Sequence, residues 1–383
     1  MKRRIILLGS TGSIGRQTLD LVREFSKKFK IVGLAGGNNW QLLKKQISEF
    51  RPKFIATNRP EKFPNQKIIS FNKLASQKCD LVVSAIAGVA GLPPTLAAIQ
   101  ARNSVALANK ESLVLAGKIV MNSAKKFGVK IFPVDSEHSA VWQLLEKIPR
   151  EKVRRIILTA SGGALRDTPL SKFPKISPQK VLRHPTWSMG PKITLDCATL
   201  ANKAFEIVEA AHLFDFPLEK ISAVIHPQSF VHALVETTDG NLFAQMSLPS
   251  MKLPISLALF GGERQEDSVA KLDLVGRNLE FRPIEKNRYP LFFTTLEAAK
   301  RGGIFPAAAG AASEFFGKKF LAGEIAFPEI AKLTAKSLEK IQQKPANLKN
   351  IFATVNSFRG KFQQFYLRQE AGSAGKVQLR KLL

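Results

Sequence analysis

Short apolar runs alternate with amphipathic stretches through the first third of the chain. "RRIILLG" precedes "IGRQTLDLVREF", "FKIVGLAG" precedes "NWQLLKKQISEF", and "CDLVVSA" precedes "PTLAAIQA". "SVALA" then precedes "SLVLAGKIVMNSAKKFG", and "VKIFPV" follows. Strand and helix repeated in this way predict a parallel sheet with right-handed crossovers. The uncharged stretch from Leu81 to Ala101 is long enough to raise a membrane helix. Gly88, Gly91 and the pair Pro93-Pro94 break it into a strand, a loop and a helix start. The basic start "MKRRIILLGS" resembles a signal peptide only briefly, because its apolar run is confined to Ile5–Leu8 before glycine, and a strand is the better reading.

After residue 150 the pattern changes. "RRIILTA" reads as another strand, and the following "SGGALRDTPLSKFPKISPQKVLRHPTWSMGPK" is rich in Gly, Pro and Ser without periodicity, the mark of a functional loop or linker. "FVHALVETTDGNLFAQMSL" predicts two strands about the turn Asp239-Gly240. From Tyr289 the text is helical. The expected fold class is α/β, with an N-terminal Rossmann-like parallel sheet domain over 1–134 and a central α+β catalytic domain over 135–262 that carries a lid loop at about 161–191. A linker over 263–288 and a C-terminal helical bundle over 289–383 complete the expectation, with "EAGSAGKVQLRKLL" as a frayed end.

Composition narrows the class. A chain of 383 residues exceeds one ordinary core and predicts two or three domains. Two cysteines, Cys79 and Cys197, make no disulfide framework and fit a reducing compartment, so a cytoplasmic protein without a membrane partner is expected. Lysine and arginine number 58 against 30 acids, a formal charge of +28. Such a balance attracts polyanions. The basic residues are spread along the chain, however, with no RNP-like motif, zinc finger or basic zipper, so no nucleic-acid partner is expected. An anionic small molecule would be drawn in equally well.

Candidate chemistry begins at the end of the first strand. Gly9-Ser10-Thr11-Gly12-Ser13-Ile14-Gly15 leads straight into a helix, where glycines permit close backbone approach and the helix N-terminus offers free N–H groups to a diphosphate. The second strand ends in Gly36, Gly37, Asn38 and Asn39, without the acid that NAD binders place there, which favours NADP. No arginine or lysine follows directly to hold the extra phosphate. Further on, Asp135 and Glu137 would share a face if the chain stays extended, and like charges that close demand a proton or a cation. In "DCATLANKAFE", Asp196 can cap a helix that sets Asn202 and Glu206 four residues apart, with Lys203 beside them. Three carboxylates without a histidine or cysteine pair suit Mg²⁺ or Mn²⁺. A helix cap at Asp-Ser-Glu and a solvated Asn-Lys-Glu face explain the same spacing.

The motifs "GSTGSIG", "LANKESLV", "PVDSEH", "LTASGG", "HPTWSMG", "NKAFE" and "IHPQS" occur together in this order. In them the sequence resembles the 1-deoxy-D-xylulose 5-phosphate reductoisomerase family of the non-mevalonate isoprenoid pathway. The resemblance implies an NADPH- and divalent-metal-dependent enzyme, a homodimer, that rearranges and reduces a sugar phosphate to 2-C-methyl-D-erythritol 4-phosphate. It implies Asp135, Glu137 and Glu206 as metal ligands, and Lys203, Glu137 and His184 as the catalytic set. It places Ser136, Ser161, His184, Trp187, Cys197, Asn202 and Lys203 against substrate, Trp187 as part of the lid. Gly9, Thr11, Gly12, Ser13, Ile14, Gly36, Asn38, Asn109, Lys110, Glu111 and Met251 are implied around NADPH, and His232 near the pocket. One departure stands out: Cys197 replaces a phosphate-binding serine, and a thiol is the weaker donor. The competing readings are another NADP-linked dehydrogenase, with Cys197 as nucleophile, and a basic nucleic-acid-associated protein.

Overall fold

The computed structural model describes residues 1–187, 189–266 and 269–359. Its first elements are β1 (Arg3–Leu8), α1 (Ser13–Glu24), β2 (Phe29–Gly36), α2 (Trp40–Phe50), β3 (Phe54–Thr57), α3 (Phe71–Ala75), β4 (Leu81–Ser84), α4 (Leu92–Gln100), β5 (Ser104–Leu107), α5 (Lys110–Phe127), β6 (Ile131–Pro133) and α6 (Ser136–Leu145). The middle of the chain holds β7 (Val153–Ala160), α7 (Pro178–Val181), α8 (Pro191–Ala198), α9 (Ala201–Leu213), β8 (Ile221–Ile225), β9 (Val231–Thr237), β10 (Leu242–Met246) and α10 (Lys252–Leu259). Helices α11 (Pro290–Arg301), α12 (Phe305–Leu321), α13 (Phe327–Glu339) and α14 (Leu348–Arg359) follow. The chain divides into two compact units, each stitched from separate segments. The first takes Met1–Ser112, Lys118–Arg154 and Phe230–Arg277; the second takes Leu113–Gly117, Arg155–Ser229 and the chain from Asn278.

In the first unit six strands lie in the order β3-β2-β1-β4-β5-β6, and every pair is parallel. Helices on its faces leave the central strands no contact with water, which is why they read as unbroken apolar runs: Ile5 to Leu8 and Leu81 to Val83 are fully buried. The order reverses between β1 and β4, so a crevice opens at the carboxyl ends of these strands, where doubly wound folds bind ligands. The chain returns to this unit as α10, whose Ile255, Ala258 and Leu259 join the core built on Ile5, Leu7 and Phe29. The expected hairpin is present, with β9 and β10 antiparallel about Asp239-Gly240 and Gly240 at φ +90°. Strand β3, four residues long, was not foreseen by the apolar pattern.

The second unit contains β7 paired in parallel with β8, Ile156 beside Ile221 through Ala160 beside Ile225. The Gly/Pro-rich segment after β7 is more anchored than its composition implies. Leu165, Phe173, Ile176 and Val181 are buried in one cluster with Leu195, Phe205, Leu291, Phe320 and Phe327. The stretches 167–172 and 182–187 between these anchors run largely exposed, and Ser188 lies outside the described residues. Helix α12 buries Ala307, Ala308, Ala309, Ala311 and Ala312, small side chains that let neighbouring helices approach closely. The tail "EAGSAGKVQLRKLL" also lies outside the described residues.

Of the three glycines after β1, two are demanded by the fold itself. Gly9 sits at φ +88°, and a Cβ there would lie 2.4 Å from the Ala85 carbonyl oxygen. A Cβ on Gly15 would lie 2.2 Å from the Gly9 carbonyl oxygen, so α1 can pack on the turn only through glycine. At Gly12 the nearest atom would be 3.4 Å away, which leaves that edge open. Gly15→Ala is therefore expected to cost about 1–3 kcal/mol of stability, and Gly12→Ala about 1 kcal/mol or less. Urea unfolding midpoints of the two variants check this; equal losses would refute the distinction.

Candidate active site

The residues expected around the nucleotide belong to the first unit. Gly12 is the N-cap of α1, with extended backbone and no side chain capping the helix, and no acid lies in the first turn. The free N–H groups of this turn, around Thr11, Ser13 and Ile14, are therefore available to an anion. Gly36 ends β2, and Asn39 caps α2 by accepting from Leu42 N at 3.1 Å. Asn109 is a buried scaffold residue: its amide nitrogen donates to Gly88 O and to the Glu111 carboxylate, both at 2.9 Å, while its oxygen caps α5 at Ser112 N. Met251 packs against the core of this unit just before α10. His232 shares a 3.0 Å hydrogen bond with Ser247.

The chain does not stay extended at Asp135-Ser136-Glu137. Asp135 is the N-cap of α6, accepting from Glu137 N at 3.1 Å and His138 N at 3.2 Å, so the alternation expected of a strand ends there. The cap explanation of the spacing is thus realised, and both carboxylates sit at one helix start. Lys110 Nζ lies 3.1 Å from the Asp135 carboxylate, and the Ser136 hydroxyl donates to Glu137.

In the second unit the solvated-face explanation fails. Asn202, Lys203 and Glu206 on α9 are 9%, 3% and 2% exposed. Lys203 is ion-paired with Glu206 one turn on, and the Asn202 amide donates to the same carboxylate. Asp196 does not cap α9: it lies inside α8, paired with Lys192 at 2.8 Å, and Leu200 at φ +55° occupies the cap position. After β7, Gly162 and Gly163 both take positive φ, and a Cβ on Gly163 would lie 2.6 Å from Cys197 O, so this loop rests on α8. Ser161 Oγ accepts from Gly163 N at 3.2 Å and meets His184 Nε2 at 3.0 Å.

His184 Nδ1 accepts two backbone N–H bonds, from Thr186 at 3.1 Å and Trp187 at 2.9 Å. The proton must then sit on Nε2, which donates to Ser161. Burial, with Arg166 nearby, lowers the His184 pKa to about 4. The same ring thus orients the backbone of Trp187. Arg166 and Tyr289 carry no sequence signal for the contacts they make here. Arg166 Nη1 donates to Ser161 O at 2.9 Å, and the Tyr289 hydroxyl donates to Gly162 O at 3.0 Å. Both fix the loop through its backbone, and no local motif announces such long-range contacts. Cys79 lies apart from this chemistry, its thiol pushed up to about 12 by burial.

Comparison with known proteins follows the same outline. Residues 5–117 match the 1-deoxy-D-xylulose 5-phosphate reductoisomerase model, and residues 131–214 and 246–361 match two C-terminal domain models of that reductoisomerase. The 1-deoxy-D-xylulose 5-phosphate reductoisomerase of Chlorobaculum tepidum is 44% identical over 352 residues, 88% of this chain and 92% of that protein. That of Pelotomaculum thermopropionicum is 45% identical over 354 residues, with the same coverage of 88% and 92%. Among solved structures, the reductoisomerase of Zymomonas mobilis in complex with NADPH superposes with a TM-score of 0.86 at 35% identity, covering 96% of this chain and 99% of that one. A reductoisomerase in complex with NADPH, fosmidomycin and magnesium gives 0.84 at 33% identity, covering 99% and 98%.

The geometry at His184 fixes a pH signature. An unfolded histidine titrates near 6.5 and the native one near 4. Between these values the unfolded chain binds the extra proton, so stability falls as pH drops from about 6.5 towards 4 and is insensitive to this ring above 6.5. Nitrogen NMR of the free protein is expected to show the Nε2–H tautomer from pH 8 to pH 5; a midpoint near 6.5 would overturn the assignment.

Proposed function

Because this chain belongs to the 1-deoxy-D-xylulose 5-phosphate reductoisomerase family, we propose that the residues matching the family's motifs carry its reaction here. The chain is an oxidoreductase that converts 1-deoxy-D-xylulose 5-phosphate to 2-C-methyl-D-erythritol 4-phosphate with NADPH and a divalent metal. Asp135, Glu137 and Glu206 are the proposed metal ligands, an oxygen-only donor set that fits magnesium, or manganese in its place. Support comes from the chemistry of each ligand: two carboxylates at the start of α6, and one buried on α9 beside a lysine. The metal, when bound, supplies a Lewis acid for the carbonyl and hydroxyl oxygens of the substrate.

The remaining roles fall to the chain's own side chains. Lys203, held by Glu206, offers N–H donors to substrate hydroxyl and phosphate oxygens, and Asn202 adds an amide. Ser161, whose hydroxyl keeps its own proton because it accepts from neutral His184, donates to the phosphate end, with His184 beside it as its orienting partner. Ser136 bonds a hydroxyl, and Trp187 covers the substrate and excludes water. Glu137 joins Lys203 and His184 in the catalytic set. The turn of Gly9, Thr11, Gly12, Ser13 and Ile14 takes the NADPH diphosphate, with Gly36 and Asn38 near the ribose. Asn109, Lys110, Glu111 and Met251 border the nicotinamide, and His232 lines the pocket. The chain acts as a cytoplasmic homodimer in this reading. Leu242 and Phe243, exposed on β10, support an interface, and no described helix is long and apolar enough to cross a membrane. The dehydrogenase and nucleic-acid readings are set aside by the family.

Two variants test these roles. Glu206→Gln is expected to lower kcat more than about 100-fold and to abolish the heat of magnesium binding, with NADPH affinity unchanged. Wild-type turnover in that variant would remove Glu206 from the ligand set. Cys197→Ser restores a hydroxyl donor and is expected to lower KM for the sugar phosphate roughly 2- to 10-fold without changing kcat. An unchanged KM would show that this position does not reach the phosphate.

A further inference from the structure

The end of β2 presents neither an acid for a ribose hydroxyl nor a base for a 2′-phosphate: it reads Gly36, Gly37, Asn38, Asn39. The adjacent strand, missed in the sequence, supplies what is lacking. β3 runs parallel to β2 with Gly36 beside Thr57. Carrying that register two residues on sets Arg59 beside Asn38, at the carboxyl edge of the sheet where dinucleotides bind. One hydroxyl ties the two segments together: Thr57 Oγ1 donates to Gly37 O at 3.2 Å and accepts from Arg59 N at 3.2 Å. Glu61 holds the Arg59 side chain through Nε alone, at 2.6 Å, which leaves the two terminal nitrogens of the fork with their donors. The neighbouring cations are otherwise engaged. Lys44 and Lys62 lie over the Trp40 ring, 5.1 and 5.4 Å from its centroid.

We propose that Arg59 recognises the 2′-phosphate of NADPH in this chain, replacing a basic residue directly after β2. A guanidinium fork matches two phosphate oxygens at once, and its charge distinguishes a phosphate from the bare hydroxyl of NADH. Glu61 keeps the fork in place in the free protein and leaves its phosphate-binding edge open. The assignment rests on NADPH as the cofactor and adds the residue that selects it.

The experiment measures dissociation constants by fluorescence and calorimetry for NADPH, NADH, 2′,5′-ADP and 5′-AMP. It compares the wild type, Arg59→Gln, and Arg59→Gln combined with Gly37→Arg. At Gly37 a Cβ would meet nothing closer than Asn58 Nδ2 at 3.7 Å, so a side chain fits there. Arg59→Gln is expected to weaken NADPH and 2′,5′-ADP about 10- to 100-fold, with NADH and 5′-AMP changed less than about twofold. The double variant is expected to recover most of the loss. Equal weakening of all four ligands would mark Arg59 as merely structural and overturn the assignment. So would a variant that keeps the wild-type preference for NADPH. A wild type indifferent between NADPH and NADH would overturn the cofactor reading together with the assignment.

Discussion

The interaction on which the site depends most is the buried pairing of Lys203 with Glu206, steadied by Asn202. Burying two charges costs several kcal/mol per ion before their attraction is counted, and apolar residues of the same volume often stabilise a fold better. Helix α9 carries this pair while its Ala201, Ala204, Phe205, Ile207 and Val208 are buried around it. Those apolar neighbours lock the rotamers of the polar residues, so a lysine and a carboxylate are held still where water cannot screen them. That is poor design for stability and good design for metal and phosphate chemistry, in which charge must be fixed before the substrate arrives.

The loop after β7 obeys the same logic with different means. Gly162 and Gly163 accept a backbone that other residues resist, and Arg166 and Tyr289 then clamp the carbonyls on either side of Gly162's peptide links. Ser161 is thereby presented to His184, whose other nitrogen is committed to the backbone of Thr186 and Trp187. A charged imidazole would lose both of those acceptor bonds. Neutrality of the ring and the placement of Trp187 are therefore one constraint, because the group that meets Ser161 also orients the backbone of Trp187.

Much of this was legible in the sequence. Strands β1, β2, β4, β5 and β6 announced themselves because burial on both faces demands continuous apolar runs, and the β9–β10 hairpin because its turn demands glycine. β3 and β8 escape that pattern although β4, β5 and β6 are no longer than these, so length alone does not decide which strands the apolar runs reveal. A strand's period of two does not reach from Asp135 to Glu137, because the chain switches to a helix between them. Asp196 fits a cap by residue type, yet the cap falls to Leu200, whose left-handed backbone leaves no local signature. Motif order carried the family; the contacts that hold the motifs in place are made between residues more than a hundred apart in some cases, as for Tyr289 and Gly162.

The charge of +28 has its place in the same account. Both NADPH and the sugar phosphate are anions, and a chain with 58 cations against 30 acids draws either one in. Such attraction fades over a Debye length of about 8 Å at physiological salt, and it favours any anion over any other only by their charges. Discrimination between a phosphate and a hydroxyl needs a donor within hydrogen-bond reach. A cation outside that reach cannot choose between two cofactors, however many such cations there are. The burden of choice thus falls on single residues at strand ends and helix starts, which backbone register, unlike composition, can place.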